Sequence, residues 1–190
     1  MRKEAGQVKS AKIRRDKAVI VVIDIQERLL PAMKNQEEIV KKAAMLIRGG
    51  RFLETPILVT EQYPKGLGNT VAEIKEALGD FQPIEKTSFS ITGEPNFVEA
   101  LKELHCEDVI ICGIESHVCV EQSALDLLNQ GYHVYIMEDA VGSRSNIDKK
   151  YAGRRMVEAG CVGTTVEAAL FEMVGDAKDP SFKEISKLVK

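Results

Sequence analysis

The chain has 190 residues, of which 44% are hydrophobic and 29% charged, with a formal net charge of −3. That supplies a packed core and a solvated surface for a single domain (1–190). It gives no reason to expect nucleic acid or a membrane surface as partner, and no apolar run nears the roughly 20 residues that span a bilayer. Four cysteines without paired spacing suit a reducing compartment better than a disulfide framework, so a cytoplasmic protein is expected.

The basic opening segment, about 1–17, lacks an apolar h-region and carries Glu4 and Asp16. It reads as a solvated arm rather than a secretory or mitochondrial leader. Ala18 to Asp24, AVIVVID, is a β-branched apolar run ending in an acid, as expected of a central parallel strand buried on both faces. Pro31 marks the loop that follows. From Gln36 to Glu54 the positions Ile39, Ala43, Leu46, Ile47, Phe52 and Leu53 recur at helical spacing. After Pro56 comes a second strand, ILVT, ending at Glu61, and then a loop rich in turn formers, QYPKGLGNT.

Val71 to Leu78 predicts a short helix stopped by Gly79, and Pro83 to Lys86 a brief third strand. Glu94 to Leu104 predicts a helix with Pro95 in its first turn. Val109 to Cys112 is a buried strand, Gly113 to Val118 a tight turn, and Cys119 opens the next helix. Tyr132 to Met137 is a fifth strand, followed by the polar loop EDAVGSRSN. Lys149 to Ala159 predicts a helix, Val162 to Thr164 a last short strand and Thr165 to Val174 a helix. The C-terminal tail, about 176–190, adds an amphipathic turn or helix.

Strand alternating with helix implies a three-layer α/β/α fold, a six-stranded mostly parallel sheet with helices on both faces. Ligands in such folds sit beyond the carboxyl ends of the strands. Three reactive groups end or follow strands: Asp24, Lys86 and Cys119. A carboxylate, an ammonium and a thiol in one pocket make a nucleophilic site: the acid takes the thiol proton, the ammonium holds developing negative charge, and the thiolate attacks a carbonyl. A helix N-terminus is expected to lower the Cys119 pKa, and the backbone N–H groups of Val118 and Cys119 are candidates for an oxyanion hole. Taken singly, each residue has a plainer explanation: a turn-forming Asp, a solvated Lys, a small core Cys.

The pocket wall is expected to include Gln26, two residues beyond Asp24 on an extended chain, with Gln62, Tyr63, Phe89 and His117. Glu61 is either a pocket acid or a rim charge. Cys112 is expected to be inert core, and Cys106 and Cys161 structural. No glycine-rich GxGxxG follows the first strand, where the sequence reads QERLLPAM, which argues against dinucleotide binding.

The motifs VVIDIQ around Asp24, KTSFS from Lys86 and CGIESHVCV through Cys119 resemble the isochorismatase-like cysteine hydrolase superfamily. With TEQYPKGLG, GSRS and the C-terminal VGDAKDPSFKEISKLVK, the chain is similar to its isochorismatase domain-containing subgroup. The resemblance implies an Asp24–Lys86–Cys119 triad and a non-proline cis peptide before the nucleophile, expected at His117–Val118. It also implies thiolate attack on an amide or related carbonyl, with hydrolysis of a thioester. Nicotinamidases of this superfamily add a metal site with histidines before the lysine. Here His105, His117 and His133 all follow Lys86, so no metal and no organic cofactor are expected.

Isochorismatases proper cleave a vinyl ether without needing the cysteine, whereas Cys119 is present. The expectation is therefore a cysteine hydrolase of a small-molecule amide or related carbonyl compound. The alternatives are a binding or scaffolding member and a vinyl ether hydrolase. A homo-oligomer is expected, with Phe182, Ile185, Leu188 and Val189 of the tail either at the interface or docked within the chain.

Overall fold

In the computed structural model, which describes residues 12–190, most of the expected N-terminal arm lies outside the described residues. The first half runs β1 (Ala18–Ile23), α1 (Gln36–Phe52), β2 (Ile57–Gln62), α2 (Pro64–Leu67), α3 (Ala72–Leu78), β3 (Ile84–Lys86) and α4 (Pro95–Glu103). The second runs β4 (Asp108–Ile114), a π-turn (Ser116–Val120), α5 (Glu121–Asn129), β5 (His133–Gly142), α6 (Asn146–Ala159), β6 (Val162–Thr164), α7 (Val166–Val174) and α8 (Phe182–Leu188). The strands form one sheet in the order β3-β2-β1-β4-β5-β6, every pair parallel. Among the described residues no helix is long and apolar enough to cross a membrane.

The continuous apolar run of β1 follows from its central place. Ala18, Ile20 and Val22 face a core layer with α1, α3, α7 and α8, while Val19, Val21 and Ile23 face a second layer with α4, α5 and α6. A strand covered on both sides has no solvent face, so polar alternation is lost. The tail is docked within the chain. Ile185 of α8 is fully buried, Phe182 and Leu188 pack against the first layer, and the Phe171 and Phe182 rings lie 6.2 Å apart.

Several elements differ from the sequence expectation. α2 forms a helical turn inside QYPKGLGNT, expected to be a loop. β5 continues through Glu138, Asp139 and Ala140 to Gly142, over residues expected to form a loop. The acid has a structural use here: Asp139 Oδ1 accepts the Val166 N–H at 2.9 Å at the start of α7. α6 begins at Asn146, earlier than Lys149, because Ser145 caps it by accepting the Asp148 N–H.

The chain passes from β1 through β2 and β3 on one side, then crosses to β4 on the other side of β1. Where the order reverses, the β1 and β4 carboxyl ends diverge and leave a crevice. Gly113 makes the close approach there possible. Its φ is +126°, and a Cβ on it would lie 2.0 Å from the Ile23 carbonyl oxygen, a backbone atom that has no room to retreat. Replacing Gly113 by Ala is therefore expected to destabilise the fold by about 3 kcal/mol or more, measured as a fall in the urea midpoint. An unchanged midpoint would contradict this reading of the strand crossing.

Candidate active site

β1 ends at Ile23, and Asp24 turns the chain at a φ of +53°, a left-handed conformation that aspartate tolerates better than most residues. The turn places the Asp24 side chain fully buried between two donors. Oδ1 accepts the Thr60 hydroxyl at 2.7 Å, and Oδ2 accepts Lys86 Nζ at 2.7 Å. Both side chains of this ion pair are 0% exposed. Lys86 Nζ also donates to Gln62 Oε1 at 2.6 Å and to the Ser88 and Phe89 carbonyls at 3.2 and 3.3 Å. Its ammonium is thus fully engaged, as a buried cation must be.

Gln62 is held in that orientation because its Nε2 donates to the Thr87 carbonyl at 2.8 Å. Gln26 sits one layer further back. It is buried, its Oε1 accepts the Gln62 N–H, and its Nε2 donates to the Gln62 and Gly68 carbonyls.

Cys119 lies in the π-turn at the head of α5, 5% exposed, with its thiol beside both Asp24 and Lys86. Its carbonyl accepts the Ser123 hydroxyl at 2.5 Å, and that hydroxyl oxygen accepts the Ile91 N–H at 3.0 Å. Ser123 so ties the thiol's turn to the loop after β3. Burial and the Asp24 charge push the Cys119 thiol up to about 12 against the opposing pull of Lys86. This corrects the expectation of a thiol lowered by a helix N-terminus: Cys119 sits in the turn before α5, where burial and a neighbouring carboxylate raise it. Cys112 and Cys161 are also buried and pushed up to about 12. What sets Cys119 apart is therefore its neighbours.

The thiol opens on a cavity of about 370 Å³. Leu29, Leu67, Phe89 and Val118 form apolar walls; Gln62, Glu115 and Arg144 add polar groups. Glu115 directly follows β4, and Arg144 follows β5 by two residues. Burial works to raise the Glu115 carboxyl, but Arg144 holds it below the usual carboxylate range.

Of the expected wall residues, Gln62 and Phe89 line this cavity, whereas three do not. Gln26 is a buried strut whose amide is spent on backbone groups, since the turn at Asp24 breaks the extended alternation. Tyr63 has a φ of +38° and lines a neighbouring depression with Pro64, Lys86, Thr87 and Glu94 instead of the cavity at the thiol. His117 bonds Ser143 Oγ at 3.0 Å through Nδ1 and faces an outer depression with Glu121 and Tyr151. Glu61 is also committed elsewhere, accepting the Thr70 N–H and hydroxyl at 2.6 and 2.7 Å.

Two backbone expectations are corrected as well. The non-proline cis peptide is at Ile114–Glu115, at the end of β4, and not at His117–Val118. The Val118 N–H donates to the Glu115 carbonyl at 3.1 Å, and the Val120 N–H to the same oxygen at 3.2 Å. Winding of the turn thus consumes the Val118 donor. Leu29, Leu67, Glu115 and Arg144 were not nominated from sequence, although the strand-end rule reaches Glu115 directly. It would have reached Arg144 had β5 been extended to its true end.

The isochorismatase domain model matches residues 18–168. The chain is 42% identical over 173 residues to isochorismatase domain-containing protein 1 of Salmo salar, covering 90% of this chain and 60% of that protein. It is 39% identical over 173 residues to isochorismatase domain-containing protein 2 of Xenopus laevis, covering 90% and 83%. The structure of MAR1 ribonuclease from Caenorhabditis elegans superposes with a TM-score of 0.88 at 42% identity, covering 94% of this chain and 92% of that one. The chain belongs to the isochorismatase family, a family of hydrolases. It spans less than two thirds of the salmon relative's length.

Since Asp24 raises the thiol, Asp24→Asn is expected to lower the Cys119 pKa and to speed its alkylation by iodoacetamide at pH 8. Wild type is expected to react more slowly than a free thiol of pKa about 8.5. Peptide mapping measures both rates, and faster alkylation of wild type than of the variant would contradict the charge assignment.

Proposed function

We propose that this chain is a cysteine hydrolase that cleaves a small amide or related carbonyl compound through a thioester on Cys119, using groups of the chain itself. The buried Asp24–Lys86 pair against the thiol carries this reading. Taking two charges out of water costs several kcal/mol per ion, and apolar residues of similar volume are often as stable there. A protein that only binds or scaffolds gains nothing from keeping the pair beside a cysteine.

As the Cys119 Sγ bonds to the substrate carbonyl carbon, the thiol proton passes to Asp24. Lys86, already 2.7 Å from that carboxylate, offsets the negative charge that moves onto sulfur and oxygen. Asp24 returns the proton to the leaving nitrogen as the C–N bond breaks, releasing ammonia and leaving the thioester. Water then adds to the carbonyl with its proton going to Asp24. The C–S bond breaks, the acid departs and the thiol is restored. A high resting thiol pKa suits this scheme, because deprotonation is coupled to attack. With the Val118 N–H used inside its turn, the proposed oxyanion donor is the Cys119 N–H.

Ammonia release from a panel of small amides tests the proposal. Cys119→Ala and Asp24→Asn are each expected to lower kcat/KM by about 10³-fold or more. Full activity in Cys119→Ala would refute it. The name of the nematode relative favours ribonuclease activity as a second reading. RNA cleavage that is lost in Cys119→Ala, with no amide turned over, would favour that reading. Self-association is part of the proposal, and exposed Ile147, Tyr151 and Val157 on α6 are the apolar side chains that support it. Light scattering is expected to give a mass above 21.0 kDa, shifted toward the monomer in Tyr151→Lys.

A further inference from the structure

Arg144 and Glu115 meet on the wall of the cavity that holds Cys119. Arg144 Nε donates to Glu115 Oε1 at 3.1 Å and to Oε2 at 3.0 Å, Nη2 donates to Oε1 at 2.5 Å, and the Arg144 backbone N–H donates to Oε2 at 3.1 Å. Glu115 is 5% exposed in its side chain and Arg144 61%. A guanidinium is a planar fork with donors on more than one edge. Glu115 takes the Nε–Nη2 edge, and Nη1 has no hydrogen-bond partner among the described residues.

The other cation of the site has no free donor for a substrate carboxylate, because Lys86 Nζ already meets four acceptors. Glu115 cannot serve a cation either, since both its oxygens are bonded to Arg144. Besides the thiol, Arg144 and Glu115, the cavity is lined by the apolar Leu29, Leu67, Phe89 and Val118 and by Gln62. One cavity therefore holds the Cys119 thiol, mostly apolar walls and a guanidinium with one edge unpaired. Its volume is at the small end of ligand sites, which run from about 300 Å³ upward.

Building on the cysteine-hydrolase reading, we infer that Arg144 is a specificity-determining residue that receives a carboxylate at the far end of the substrate through Nη1. The substrate class is then the monoamide of a short aliphatic dicarboxylic acid, with its amide at Cys119. Because Glu115 cancels most of the long-range charge, recognition works at contact distance. It ranks three otherwise matched ends: carboxylate first, methyl second, ammonium last.

The experiment compares ammonia release from the monoamides of succinic, glutaric and adipic acids with that from butanamide, pentanamide and hexanamide. 5-Aminopentanamide is the cationic control. The best monoamide is expected to exceed its neutral partner in kcat/KM by about tenfold or more, mostly through KM, the scale of one charge-assisted hydrogen bond. The amine should fall below both. Arg144→Gln alone would strand the buried Glu115, so the variant is the double Glu115→Gln/Arg144→Gln, expected to bring the ratio toward one. A monoamide no better than its neutral partner, or a preference that persists in the double variant, would overturn the assignment.

If none of these amides is hydrolysed, the amidase reading fails by itself. Calorimetry on Cys119→Ala protein with glutaric acid monoamide and pentanamide then decides the anion subsite. Preferential binding of the monoamide, lost when the double substitution is added, supports it. Equal or absent binding of the two overturns it.

Discussion

The candidate site depends on an ion pair from which water is excluded. Asp24 and Lys86 come from the ends of β1 and β3, with β2 between them, and are joined across 2.7 Å with neither side chain exposed. Such a pair survives burial only if its remaining lone pairs and protons are also satisfied. The intervening strand does this: Thr60 donates to the free carboxylate oxygen, and Gln62 accepts from the ammonium. Gln62 is in turn oriented by Thr87 and Gln26. The polar network is closed on the protein side, which fixes both charges before any ligand enters.

On the other side of β1 the constraint is backbone geometry. Gly113 lets β4 press against Ile23, and the wide turn after it collects its N–H groups on the Glu115 carbonyl. Cys119 is thereby delivered to the ion pair at the head of α5. The same residue links the turn outward: the Glu115 side chain clamps Arg144 in the loop after β5. The ends of five strands, β1 to β5, thus converge on a small cavity. This is the arrangement that a reversal of strand order produces in an open parallel sheet.

Much of this was legible in the sequence, for physical reasons. The apolar run of β1 reported its burial on both faces, and strand ends nominated Asp24, Lys86 and Cys119, which the fold brings together. What was not legible involves departures from ideal chain geometry. Gln26 was read by extended alternation, but the left-handed turn at Asp24 cancels that parity. Tyr63 likewise leaves the strand through a left-handed step. The acids of EDAVGS suggest a loop, yet Asp139 serves α7 from within β5, and only the true strand end at Gly142 brings Arg144 into view. The thiol's pKa is not legible in the sequence, because desolvation and the approach of Asp24 belong to the tertiary fold.

In the proposed reaction a neutral, buried thiol becomes the nucleophile by handing its proton to Asp24 as it attacks. The most direct measurement is the intact mass of the protein, acid-quenched during turnover of its best amide, with the adduct located by peptide mapping. An acyl group is expected on the Cys119 peptide, formed with release of one equivalent of ammonia and absent in Cys119→Ala. Turnover without an adduct at any quench time, undiminished in Cys119→Ala, would contradict it.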